Sequence, residues 1–206
     1  MILNEPRPLT KAHMIVAGVP ENYWEASLAD YPEGYTGFAA CRSFHNDVVE
    51  MLRDGLGMIL HGPPGHGKTR MAVALLKQSM RHCASACFLE SNQIQRSIID
   101  KDYELGIQSS RPVMELAEEV DLLVLDDLGA EHSKEWLKAQ VEALLRFRIA
   151  RKLSTIVTTN LGMKDLETIY GLGMSSVLKE ALYPAKVAGR DWRDMRAAVV
   201  AERFKK

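Results

Sequence analysis

Apolar residues along the chain fall into two alternating patterns. Short runs at Leu56–His61, Ala84–Glu90, Leu122–Leu125, Ser154–Asn160 and Tyr183–Ala188 are too brief for helices, and the β-branched content of Ser154–Asn160 favours an extended backbone. Between these runs the apolar positions recur at helical spacing. Ser43–Asp54 carries the stripe Phe44, Val48, Met51 and Leu52 behind a capping serine, and Gly55 ends it. Lys68–Met80 puts Met71, Leu75 and Met80 roughly on one face, and Ser133–Lys152 has Trp136, Val141, Leu144, Leu145 and Phe147 among its apolar positions. Ser91–Val120 reads as helical with a break at 106–112. Further helices are expected over Lys164–Tyr170, over Ser175–Leu182 and from Trp192 onward.

Strands alternating with helices predict an α/β fold, a parallel sheet with helices on both faces, and Leu122–Leu125 fits a strand buried on both faces. Ligands in such sheets bind beyond the carboxyl ends of the strands. That rule places Asp126, Asp127 and Asn160 on one edge. Residues 1–42 carry Pro6, Pro8, Pro20 and Pro32 with scattered aromatics (Tyr23, Trp24, Tyr31, Tyr35, Phe38), and are expected to form an arm packed across a domain of residues 43–206.

At 206 residues one domain is expected, burying roughly 70% of its unfolded surface and needing no staple. The near-balance of 26 basic and 27 acidic residues argues against a non-specific polyanion binder. Cys41, Cys83 and Cys87 make neither a disulfide framework nor a zinc pattern; Cys83 and Cys87 are expected as buried small apolar packing. No apolar run approaches a membrane span and Met1–Pro8 lacks a signal pattern, so the expected compartment is the cytoplasm, with no membrane partner.

The candidate chemistry begins between the first strand and the helix after it. Gly62–Thr69, GPPGHGKT, matches G-x-x-x-x-G-K-[ST], the phosphate loop. Four fixed positions match by chance in roughly one chain in a hundred of this length, so the flanks decide; strand, glycine loop and helix are the order the motif needs. Gly62, Gly65 and Gly67 let successive N–H groups turn onto phosphate oxygens, Lys68 reaches the β/γ-phosphates, and Thr69 is placed to ligate Mg²⁺. The expected nucleotide contacts are therefore Gly62, Pro63, Pro64, Gly65, His66, Gly67, Lys68, Thr69 and Arg70. Asp126 closes an apolar strand as an acid near the metal does, and Asp127 is the candidate general base. Asn160, ending its strand, is placed to orient water beside the γ-phosphate. Lys68, Asp127 and Asn160 are thus the catalytic candidates, with Thr69 and Asp126 for the metal.

These strings, with Leu122–Glu131, Thr155–Leu161 and Gly189–Arg193, resemble the DnaC/IstB branch of the AAA+ ATPases, which contains replicative-helicase loaders and transposition-helper ATPases. The Asp-Asp-Leu-Gly-Ala-Glu string is the most specific part, and Gly18–Tyr23 is similar to the segment that opens the family's core near the adenine. The resemblance spans about residues 18–196. It implies a three-layer α/β/α sandwich of sheet order 5-1-4-3-2 with little or no lid domain. It also implies a clade-specific helix in residues 92–120 for assembly and single-stranded DNA contact. Asn160 would be the sensor-1 residue and Arg193 a sensor-2-like nucleotide contact. ATP would lie between subunits and be completed by a neighbour's arginine.

Two departures qualify that picture. Gly173–Leu178 has no arginine where loaders keep the one acting in trans; Arg146, Arg148 and Arg151 are substitutes, set against a reading as the solvated end of a helix. Fewer than twenty residues precede the core, where loaders carry a helicase-gripping domain. Arg146, Arg148, Arg151, Lys152, Arg203, Lys205 and Lys206 are a candidate DNA track. Three functions stay open: a helicase-loader-like ATPase using ATP and Mg²⁺, self-association and DNA or helicase contact; a transposition helper on duplex DNA with a transposase partner; and a weakly hydrolysing, nucleotide-gated scaffold. A small-molecule kinase is disfavoured by the lack of an arginine-rich lid.

Overall fold

The computed structural model describes residues 2–32, 34–99, 113–129 and 135–204. Five parallel strands form one sheet: β1 (Gly57–His61), β2 (Ala86–Glu90), β3 (Leu122–Asp126), β4 (Ser154–Thr159) and β5 (Leu182–Lys186), in the order β2-β3-β4-β1-β5. This is the expected 5-1-4-3-2 order read from the other edge. All five residues of β3 and all six of β4 are buried, the signature of central strands covered on both faces.

Strand alternation divides the core. Met58, Leu60, Phe88, Leu122, Val124 and Ile156 face one apolar layer. That layer is completed by α2 (Phe38–Asn46), α3 (Val48–Asp54) and α4 (Lys68–Arg81). Ile59, Leu89, Leu123, Leu125 and Val157 face the other, made by α5 (Ser91–Ile99), α6 (Val113–Glu119), α7 (Glu135–Ala150) and α8 (Met163–Ala181). Residues 10–35, which include helix α1 (Lys11–Val16), join the first layer through Met14, Val19, Leu28, Tyr31 and Tyr35. Lys77 of α4 holds this segment by donating to the carbonyls of Trp24 and Ala26. Helix α9 (Trp192–Phe204) follows β5.

Several elements differ from expectation. The helix expected over Ser43–Asp54 is two, because Asp47 leaves helical geometry (φ −103°, ψ 23°) between α2 and α3. The two helices expected around 164–182 are present within α8, separated where Gly171 leaves helical geometry (φ 79°, ψ 163°), but Leu182 already belongs to β5. Cys87 is buried as expected, but Cys83 is exposed in a left-handed turn (φ 62°) after α4. The 106–112 break, Ala130, Glu131 and the start of the 133–152 helix lie outside the described residues. No described helix is long and apolar enough to cross a membrane.

Candidate nucleotide site

The carboxyl ends of β1, β3 and β4 and the first turn of α4 open onto a cavity of about 780 Å³. It is lined by Gly65, Gly67, Lys68, Thr69, Asp126, Asp127, Thr158 and Asn160, by Glu90, Ser91 and Asn92 at the end of β2, and by Asn22, Tyr23, Pro64, Arg70, Trp192 and Arg193. The loop is anchored to its strands at both ends. The Gly62 N–H donates to Thr159 O at 3.3 Å, and the loop ends on Gly67, the left-handed N-cap of α4 (φ 83°). That helix start directs orphan N–H groups and a positive dipole end into the cavity.

Lys68 is only 7% exposed, and its ammonium donates to Gly62 O (2.8 Å), Pro63 O (2.7 Å) and Asn160 Oδ1 (2.7 Å). Burial pulls its pKa down, against the attraction of Asp127 and Asp126. Asn160 passes the connection on: its Nδ2 donates to Asp127 Oδ1 at 2.8 Å. Cation, amide and carboxylate thus form one chain, and this pairing also sets which way the amide faces.

The two aspartates occupy opposite environments although adjacent. Asp126 is 9% exposed, and its Oδ1 accepts from Thr158 Oγ1 (2.6 Å) and Thr69 Oγ1 (2.9 Å). Burial raises its pKa above the ordinary carboxylate value; the two hydroxyl bonds oppose that shift. Asp127 is exposed to the cavity and held in the left-handed region (φ 59°), a conformation that costs a non-glycine residue energy. Its N–H donates to Thr158 Oγ1 (3.0 Å), and its carbonyl accepts from the buried Ser91 hydroxyl (2.7 Å).

Part of the lining comes from segments distant in sequence. Arg70 pairs with Asp30 (2.8 Å) and lies 6.0 Å from the Trp192 ring centroid. The Gly189 N–H donates to His66 Nδ1 (3.2 Å) and the Trp192 N–H to Gly65 O (2.9 Å), which straps the segment before α9 onto the phosphate loop. Asp191 accepts from the Arg193 N–H (2.7 Å) in the first turn of α9, and Arg193 lines the cavity.

All the residues expected to contact nucleotide or metal, from Gly62 to Arg70 with Asp126, Asp127, Asn160 and Arg193, therefore lie on one loop or around one cavity. Four groups beside them escaped the sequence reading: Tyr31 and Tyr35 behind the loop, Ser91 beneath the aspartates, and Glu90, the β2 partner of Asp126 in register.

The arginine substitutes separate. Arg148 is fully buried, donating to Ala117 O, Val120 O, Ser154 O and Thr155 Oγ1, and so is available neither to a neighbouring subunit nor to DNA. Arg146 and Arg151 are exposed, Arg151 lying 4.2 Å from the Phe147 ring centroid. The Arg203 side chain, Lys205 and Lys206 lie outside the described residues, as does the 100–112 part of the expected assembly helix.

The family model described as IstB-like ATP binding protein matches residues 43–183, more than half the chain and both aspartates with the phosphate loop. The chain belongs to this family. The sheet order, the central β3 and the phosphate loop agree with that membership. The replicative helicase loader DnaC of Escherichia coli (strain K12) is 25% identical over 113 residues, 55% of this chain and 46% of DnaC. The matched segment thus spans less than half the length of that relative. The fold is similar to a crystal structure of DnaI (TM-score 0.71, 21% identity, 89% of this chain and 100% of that one). It is also similar to the replication initiator DnaA bound to AMPPCP and single-stranded DNA (TM-score 0.66, 12% identity, 81% of this chain and 51% of that one).

Proposed function

We propose that this chain is a Mg²⁺-dependent ATPase acting on a DNA-replication assembly as a helicase loader does, with ATP promoting self-association and contact with DNA or a hexameric helicase. The observation that carries the ATPase reading is the Lys68–Asn160–Asp127 chain beside the Thr69–Asp126 pair, all facing one cavity. Similarity to a replicative helicase loader over 55% of the chain supports the kind of assembly.

The donor set fits Mg²⁺. Thr69 and Asp126 offer hard oxygens 2.9 Å apart. A cation that takes one or two protein oxygens and completes its shell with water and phosphate suits such a pair better than an all-protein cage does. When bound, the ion would neutralise charge on the phosphate oxygens. The chain's own groups do the rest. The α4 N-terminus and the loop N–H groups bind phosphate, and Lys68 exchanges its contacts with Gly62 O and Pro63 O for phosphate oxygens. Asp127 accepts the proton of the attacking water, and Asn160 orients that water while holding the Asp127 carboxylate. Arg193 lies where it meets the nucleotide from the α9 side.

A binding assay with immobilised protein and a purified hexameric replicative helicase, with and without ATP, tests this reading. ATP-dependent retention that Lys68→Ala abolishes is expected. No contact in either state overturns the loading role. Turnover equal to that of Lys68→Ala under every DNA and partner condition overturns the ATPase and favours a nucleotide-gated scaffold. The family match also favours a second reading, a transposition helper on duplex DNA. ATP-dependent filter binding that prefers duplex over single strand would select it.

A further inference from the structure

Two tyrosines of the N-terminal segment, neither of them among the residues that line the cavity, touch the backbone of the phosphate loop. We propose that Tyr31 and Tyr35 are positioning residues for phosphate binding, their hydroxyls orienting the two loop peptides that carry the Gly67 and Lys68 N–H groups. The inference rests on the reading that the cavity takes a nucleoside triphosphate.

The argument follows from peptide geometry. Tyr31 Oη donates to Gly67 O (2.9 Å); Tyr35 Oη lies 2.8 Å from His66 O and 3.1 Å from Arg190 O. The described chain has no cis peptide bond, so each C=O points opposite to the N–H of the same planar unit. Holding His66 O toward Tyr35 turns the Gly67 N–H away from it, and holding Gly67 O toward Tyr31 does the same for the Lys68 N–H. Gly67 and Lys68 both line the cavity. The Gly67 carbonyl also accepts from the Met71 N–H (2.9 Å), so tyrosine and helix together fix that peptide plane.

Gly67 is fitted to this contact. Its φ of +83° is a left-handed value, and a Cβ there would stand 2.5 Å from Tyr31 Oη. The rings have little freedom: Tyr31 meets Tyr35 edge to face at 5.2 Å and Trp192 at 5.3 Å, and the two tyrosines are 5% and 8% exposed. Burial also pushes the Tyr31 hydroxyl further from ionisation, which keeps it a donor. If these residues merely filled the core, phenylalanine would serve equally, since it keeps the ring packing and loses only the hydrogen bonds to the loop carbonyls.

Tyr31→Phe and Tyr35→Phe remove those hydroxyls and leave the rings. Calorimetric titration with MgATP and with magnesium tripolyphosphate, well below each variant's Tm, measures the effect; Tyr183→Phe on the exposed face of β5 is the control. Each variant should bind both ligands about fivefold more weakly, roughly 1 kcal/mol for one hydrogen bond, and the control should be unchanged. A threefold or larger loss for both ligands supports the assignment, whatever happens to Tm. A smaller loss in both variants, with or without a lower Tm, overturns it and leaves the tyrosines a packing role. Wild-type protein that binds neither ligand overturns the nucleotide reading instead.

Discussion

Strand β4 has a buried cation at each end, and the two differ in kind. At its start, Arg148 reaches over Ser154 and Thr155 and donates to the carbonyls of Ala117, Val120 and Ser154. At its far end, Lys68 donates to Asn160 and to two carbonyls of its own loop. Burial lowers both pKa values, that of Arg148 to about 10. Arg148 is fully buried, ties α6 and α7 to the sheet, and does not line the nucleotide cavity. Lys68 lines a cavity of about 780 Å³ beside two carboxylates and an amide. A buried charge alone does not mark a site. What separates the two is space for a ligand and partners that a ligand can replace.

The largest expected effect lies at the Lys68 end. Asp127→Asn keeps a residue that tolerates the left-handed backbone (φ 59°) and removes only the base. Single-turnover hydrolysis should fall about 10²–10⁴-fold while the ATP Kd changes less than about threefold. Hydrolysis within about threefold of wild type would remove Asp127 from the chemistry and leave the comparison without its catalytic side.

The Arg148 end calls for a different measurement. Arg148→Met leaves three buried carbonyls without this donor, a loss of about 3 kcal/mol in unfolding free energy. For a chain of this length that lowers Tm by about 6–12 °C. Binding of ATP, measured below that temperature, should be unaltered. Denaturant or thermal melts with nucleotide titration separate the two readouts. A variant of normal stability that no longer hydrolyses ATP would reverse the assignment and restore Arg148 as a functional arginine.

The same contrast explains what was legible in the sequence. The phosphate loop is contiguous, and Asp126, Asp127 and Asn160 each end an apolar or β-branched run, so local pattern plus the strand-end rule brought them to one edge. Arg148 was misplaced although its signal was present: Leu137, Val141, Leu144 and Arg148 follow one helical stripe, and the three apolar members are buried with it. Tyr31 and Tyr35 had no such signal, because their contacts reach 36 and 31 residues along the chain from a segment without periodic pattern. Ser91 joins the aspartates across 35 and 36 residues, again through tertiary contact alone. The break between α2 and α3 at Asp47 was likewise hidden, since the apolar stripe continues through it.

The smallest effect has the opposite sign to the rest and tests whether the Asp126 carboxylate resembles the Lys68 or the Arg148 kind of group. Asp126 has a folded-state pKa raised above its ordinary value, chiefly by burial. A raised carboxyl pKa means that the folded chain holds the proton more tightly than the unfolded chain does. Its contribution to stability is full below the unfolded pKa and is lost as pH rises through the folded one. At pH 7 the ionised group therefore costs stability in metal-free protein. Asp126→Asn keeps an Oδ1 acceptor for Thr69 and Thr158 and never ionises. In chelator, at pH 7, its Tm should exceed the wild-type value. The advantage should shrink as pH falls through the folded Asp126 pKa, where the wild-type carboxyl becomes neutral too. Magnesium should stabilise the nucleotide-bound wild type more than the variant, because only the wild type keeps the anionic oxygen beside Thr69. A variant less stable than wild type at pH 7 would make Asp126 a structural partner like Arg148, and stability would then not have been exchanged for function at this end of the sheet.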